Sequence, residues 1–198
     1  MCVHHAFAYH AQRAPNALAA ITQGGEGESI TYGRLDALST RIARIFKASG
    51  LKEGERVIVL SQCSKAVFCH GFLQSHSLIS AQRSIPMLVA ILAILKAGAA
   101  YVPLDGGIVT DSALLHVTAN SGSRLIAVGK DWARRVDQLK GELAAQGKST
   151  VSEFVLEDII INASQDLDEN RVREEVLINE FGKSGKGSDG CYVIYTSG

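Results

Sequence analysis

Apolar residues along this chain keep two alternating rhythms: short continuous runs, and stretches in which they return every third or fourth position. In residues 3–13, VHHAFAYHAQR, the helical spacing puts Val3, Phe7 and His10 on one face, and Pro15 closes the segment. ALAAIT and ESITY flank the turn-rich QGGEGE, which predicts a hairpin packed beside that helix. In YGRLDALSTRIARIFKASG, Leu35, Leu38, Ile42 and Ile45 fall on one side, Thr31 can cap the start and Gly50 follows the end. RVIVLS then runs apolar without interruption, as a strand does when its sheet is covered on both faces.

The same alternation continues. Residues 84–97 read as a helix with Ser84 as cap, Pro86 near the first turn and Gly98 beyond the end. AAYVP returns as a strand, TDSALLHVTANSG as a capped helix, and RLIAVG as another strand. KDWARRVDQLKGELAAQG is amphipathic through Trp132, Val136, Leu139 and Leu143. SEFVLEDI contains a strand, 166–180 is a charged helical stretch, GKSGKGSDG is a loop, and CYVIY is a last strand. Strand–helix–strand units of this kind predict an α/β fold, a mainly parallel sheet flanked by helices. Such sheets bind ligands at the carboxyl ends of their strands. YVIYTSG delivers Thr196, Ser197 and Gly198 to such an end, small residues whose backbone NH groups can close on a phosphate.

Composition narrows the partners. Twenty basic and twenty acidic residues cancel, so no net positive field points to nucleic acid or to an anionic membrane. The expected partners are small molecules or proteins. Four cysteines with no basic, apolar leader fit a cytosolic setting rather than a disulfide framework. The longest apolar run, IPMLVAILAIL, is shorter than the ~20 residues a bilayer needs, and is expected to be a buried helix.

Three stretches, in order, resemble the adenylation (AMP-binding) domains of nonribosomal peptide synthetases, within the superfamily of adenylate-forming enzymes. They are ITYGRLDALSTRIARIFKASGLKEGERVIVL, LKAGAAYVPLD at 95–105, and YVIYTSG, which looks like the opening of the family's phosphate loop. VHHAFAYHAQRAPNALAAI also looks like the segment that opens these domains, so the resemblance covers almost the whole chain. It implies the opening part of the large N-terminal subdomain, and a reaction in which a carboxylic acid, in this branch an amino acid, attacks the α-phosphate of ATP. Mg2+ accompanies the ATP, and the acyl group passes to a phosphopantetheine thiol on a carrier domain. A coenzyme A ligase or a carboxylic acid reductase shares the same loop, and a non-catalytic interaction fragment is the alternative outside the class. Thr196, Ser197 and Gly198 inherit the ATP-phosphate role. The rest of the loop with its lysine, the acyl pocket, the ribose-binding aspartate and the later lysine lie downstream in the family. No catalytic residue is therefore assigned, and the chain is expected to be an incomplete AMP-binding domain over 1–198 that is inactive alone. Lys96, Tyr101 and Asp105 are expected to hold the turn of LKAGAAYVPLD rather than to touch ATP.

Family members pass almost directly from the strand like RVIVLS to the helix like SIPMLVAILAILKAG. Here CSKAVFCHGFLQSHSLISAQ, residues 63–82, intervenes with Lys65 as its one charged residue. Cys63, Cys69, His70 and His76 could ligate zinc, but their spacing lacks the close ligand pairs of common structural sites. A surface insertion is a second reading. The favoured expectation is translated non-coding sequence over 67–82: every valine codon begins GT, and Gln82 can be encoded CAG. Elsewhere, GKSGKGSDG departs from the nucleotide-triphosphate loop, because Leu177 stands where that pattern requires glycine. His4, His5 and His10 have no carboxylate at helical spacing and read as an amphipathic face, so no metal site is assigned.

Overall fold

The alternating pattern folds as a layered α/β unit. The computed structural model describes residues 2–22, 28–61, 84–148, 151–169 and 189–195. Helix α1 (Val3–Arg13) leads into an antiparallel hairpin of β1 (Leu18–Ile21) and β2 (Ser29–Thr31). Then follow α2 (Tyr32–Ala48), β3 (Arg56–Ser61), α3 (Ile85–Lys96), β4 (Ala100–Asp105), α4 (Asp111–Ser121) and β5 (Leu125–Val128). A 3-10 turn at Lys130–Trp132 opens α5 (Ala133–Ala145), and β6 (Ser152–Val155) passes straight into α6 (Leu156–Glu169).

The sheet is parallel throughout, with strand order β4-β3-β5-β6. β3 lies inside it, with Val57 opposite both Tyr101 and Leu125, and Val57 through Ser61 are all buried. That placement accounts for its uninterrupted apolar run. The strand period of two divides the core. Val57, Val59, Leu125 and Ala127 pack with Leu35, Ile42, Phe46, Ile94 and Leu156 of α2, α3 and α6. Ile58, Leu60, Ile126 and Val128 pack with Leu114, Val117, Val136, Leu139 and Leu143 of α4 and α5.

Three helices start on side-chain caps. Thr31, Ser84 and Thr110 accept from the amides of Arg34 (3.3 Å), Met87 (3.3 Å) and Ala113 (3.2 Å). After α3 the chain reverses through Gly98 at φ +80°, where an added Cβ would stand 2.9 Å from Glu53 Cγ. The left-handed backbone angle favours glycine there, while the Glu53 side chain is exposed and could swing aside.

Two expectations are corrected. The buried face of α1 is His4, Phe7 and Ala11, whereas Val3 and His10 face outward, Val3 being 63% exposed. Phe7 meets Tyr32 of α2 at a ring separation of 5.4 Å, which sets the roll of the helix. The helix after β6 begins at Leu156, ten positions before the expected charged stretch, because Leu156 and Ala163 are drawn into the core beside α2. The insertion at 63–82, GKSGKGS and the part of 166–180 beyond Glu169 lie outside the described residues.

Candidate functional site

The carboxyl ends of the strands form one rim. Past the end of β4, the Gly106 amide donates to Ser61 O (3.0 Å), and past β5 the Gly129 amide donates to Leu60 O (2.9 Å). Both loops are thus fastened to β3, the strand between them. Asp105 closes a tight turn: its Oδ1 accepts from the Gly107 amide (2.8 Å) and its carbonyl from Val109 (2.8 Å). Trp132 packs so closely that a Cβ on Gly106 would lie 2.5 Å from indole Cδ2, so the loop backbone passes beneath the ring only as glycine.

Arg135, one turn into α5, reaches back under this loop. Its guanidinium donates to Gly106 O and Val109 O, both at 2.7 Å, and to the Asp111 carboxylate at 2.8 and 2.5 Å, while lying 5.7 Å from the Trp132 ring centre. One cation therefore joins the β4 exit, the start of α4 and the start of α5. On the far side Glu157 of α6 accepts from the Lys130 amide (2.8 Å). These groups shape and stiffen a rim; among the described residues they do not assemble a nucleophile with a base.

Residues 189–195 approach that rim along the free edge of β4. The Tyr101 amide donates to Cys191 O (3.2 Å), the Val193 amide donates to Tyr101 O (3.0 Å), and the two tyrosine rings lie 5.9 Å apart. The pairing is parallel. The chain thus advances toward the carboxyl end of the sheet, with Tyr195 the last residue described. CYVIY was expected to be a strand; among the described residues it makes a single bridge, with Tyr101, and Tyr192, Ile194 and Tyr195 stay exposed. The Cys191 thiol is pushed above its ordinary range by burial and, second, by the charge of Cys2. Thr196, Ser197 and Gly198 lie outside the described residues.

The other expected residues are resolved individually. Asp105 closes the turn that follows β4 rather than the glycine turn of LKAGAAYVPLD, and Tyr101 holds the incoming segment. Lys96 does something the sequence did not disclose: from the last turn of α3 it reaches α2, donating to Asp36 Oδ1 (2.7 Å), Asp36 O (2.8 Å) and Thr40 Oγ1 (2.7 Å). The side chains of the pair are 3% and 2% exposed. Desolvation holds the Lys96 ammonium below the usual lysine range against the opposing pull of Asp36. Sequence reasoning also set His4, His5 and His10 together; the structure instead brings the donor atoms of Cys2, His4 and His5 within 4.8 Å of one another and leaves His10 exposed beside Tyr9. The adjacent Cys2 was the available signal.

Comparison with known proteins follows this geometry. The family model for AMP-binding enzymes matches residues 74–198. An adenylate-forming reductase of Coprinopsis cinerea is 35% identical over 136 residues, covering 69% of this chain and 11% of that protein. Surfactin synthase subunit 2 of Bacillus subtilis is 31% identical over 140 residues, 71% of this chain and 3% of that one. A nonribosomal peptide synthetase solved with α-methyl-L-serine-AMP superposes with a TM-score of 0.68 at 18% identity, over 99% of this chain and 17% of that one, a likeness of fold. The chain therefore spans a small part of the relatives it matches. A family model matched over residues 74–198 and a relative 35% identical over 69% of the chain give one answer: this chain belongs to the AMP-binding enzyme family.

Proposed function

We propose that these 198 residues are the opening part of a domain that activates a carboxylic acid, an amino acid in the favoured reading, as its acyl adenylate. The observation that carries this is the family match running through Gly198, together with residues 191–195 laid parallel to β4 and heading for the carboxyl rim of the sheet. In such a reaction the substrate carboxylate attacks the α-phosphate of ATP and pyrophosphate departs. Backbone NH groups at Thr196, Ser197 and Gly198, with the two hydroxyls, would hold the departing phosphates, and Mg2+ would supply the charge neutralisation they need. A carrier-bound phosphopantetheine thiol would then take the acyl group. The described rim would act as the fixed base of that loop: Arg135, Trp132 and Asp105 immobilise the neighbouring β4 exit, so that positioning requires little rearrangement.

The 198 residues alone hold only the start of the phosphate loop, and we expect them to support no ATP–pyrophosphate exchange. The test uses the product of the entire open reading frame, assayed for amino-acid-dependent exchange. Exchange should appear there and fall by about tenfold or more in Ser197→Ala, the order expected for losing one group that stabilises developing charge. No exchange with any carboxylic acid would favour a non-catalytic interaction module. A second reading, the adenylating part of a carboxylic acid reductase, is favoured by the 35% identity to the Coprinopsis cinerea enzyme; reduced-nicotinamide consumption with an aldehyde product would select it. Residues 67–82 we assign to translated non-coding sequence, and a spliced transcript retaining those codons would overturn that.

A further inference from the structure

The first turn of α1 brings together three side chains of metal-ligating type. Cys2 is the N-cap residue, extended at φ −81° and ψ 157°, and its side chain makes no capping hydrogen bond. The turn is closed by backbone instead, with the amides of His5 and Ala6 donating to Cys2 O at 3.1 and 3.3 Å. Cys2 and His5 therefore stand at N-cap and N3, the two positions that in a capping box each reach the other's backbone amide and so lie on one side of the first turn. Here they are a thiol and an imidazole. His4 joins them from the buried side, 5% exposed, its ring centre 4.3 Å from that of His5 in an edge-on arrangement. Sγ and the two imidazole donors lie within 4.8 Å of one another.

We propose that Cys2, His4 and His5 form a site for a borderline divalent transition metal ion, zinc being the best fit. Zinc bonds of about 2.0–2.1 Å to imidazole and about 2.3 Å to thiolate put the donors of a tetrahedral site about 3.3–3.6 Å apart. With the donors already within 4.8 Å of one another and the backbone turn in place, side-chain rotation is the motion that would close the remainder. One thiolate and two neutral imidazoles are the donors zinc accepts, whereas calcium and magnesium require oxygens. Three protein donors leave the fourth position to water. All three donors come from residues 2–5, so the ion would lock the cap of α1, the helix that packs on α2 and α3. It would also shield the Cys2 thiol from oxidation.

The test is a titration of the reduced, metal-free, untagged chain with Co2+, followed by displacement with Zn2+. The expected result is one equivalent of tetrahedral Co2+ with a thiolate-to-metal charge-transfer band. Cys2→Ser should abolish that band, and His5→Asn, a half-buried position that leaves the core intact, should weaken binding by at least tenfold. His10→Asn should change nothing. Because residues 63–82 contain further cysteines and histidines, Cys63→Ser/Cys69→Ser is the decisive companion, and it should keep the band. A band that survives Cys2→Ser, one that vanishes in Cys63→Ser/Cys69→Ser, or the absence of tetrahedral Co2+ in the parent would each overturn the assignment.

Discussion

Among the described residues, Lys96 and Arg135 each fasten separate elements together, and they do so under opposite conditions. Lys96 works in the seam between α2 and α3, almost fully out of water, with three acceptors for its three ammonium protons. Arg135 works at the rim of the sheet beside solvent: its side chain is 19% exposed, and the Asp111 partner is 69% exposed. In the seam, charge is tolerated only because every proton is matched, so the pair fixes how two helices register at a large cost if it is broken. At the rim, water screens the charge, and the value of the guanidinium lies in its planar fork, which holds two carbonyls and a carboxylate at once. Buried charge sets identity of packing; exposed charge sets the shape of a loop.

The contrast can be broken from either side. The largest effect is expected for Lys96→Met, which strands the Asp36 carboxylate in the core and should cost about 3–5 kcal/mol in urea unfolding. Lys96→Met/Asp36→Leu should recover most of that; a double variant as unstable as the single one would show that the seam depends on charge rather than on matched partners. Next is Gly106→Ala, where the new Cβ meets the Trp132 indole at 2.5 Å, with an expected loss of about 1–3 kcal/mol and a shifted tryptophan emission spectrum. Arg135→Ala should cost about 1 kcal/mol, with the Asp111 share reduced in high salt and the two carbonyl bonds insensitive to it. The smallest effect is the pH dependence of the seam. Folding lowers the proton affinity of Lys96, so between its lowered folded value and the ordinary 10.5 the unfolded chain binds more protons. Stability must therefore rise with pH across that window, and the rise should be absent from Lys96→Met/Asp36→Leu in unfolding curves collected at successive pH values.

Much of the framework is legible in residue order because its signals are local. Ser84, Pro86 and Gly98 bracket α3, Thr31 and Thr110 announce their helices, and the unbroken RVIVL run marks the inner strand. What escaped was decided by neighbours distant in sequence or by the absence of punctuation. Val155 passes to Leu156 with no turn between strand and helix, so an apolar run that reads as one strand divides between β6 and α6. Spacing alone placed Val3 and His10 inward on α1, whereas packing against Tyr32 turns His4 and Ala11 inward. The Lys96–Asp36 pair spans two helices, and no period within either discloses it. The rim was foreseen as the carboxyl ends of parallel strands, while Arg135 and Trp132 were visible only as part of an amphipathic helix.

The bridge between Tyr101 and Tyr192 also bears on the order of assembly. Every strand of the four-stranded sheet is complete by Val155, so all of its pairings can close before residues 191–193 are made. A chain emerging from the ribosome can therefore close that sheet first, since short loops form before long ones. Residues 191–193 arrive later and meet an edge already built. The segment that leads to Thr196, Ser197 and Gly198 is laid on a finished template, and mutations in residues 191–193 should slow neither collapse nor sheet formation in stopped-flow refolding.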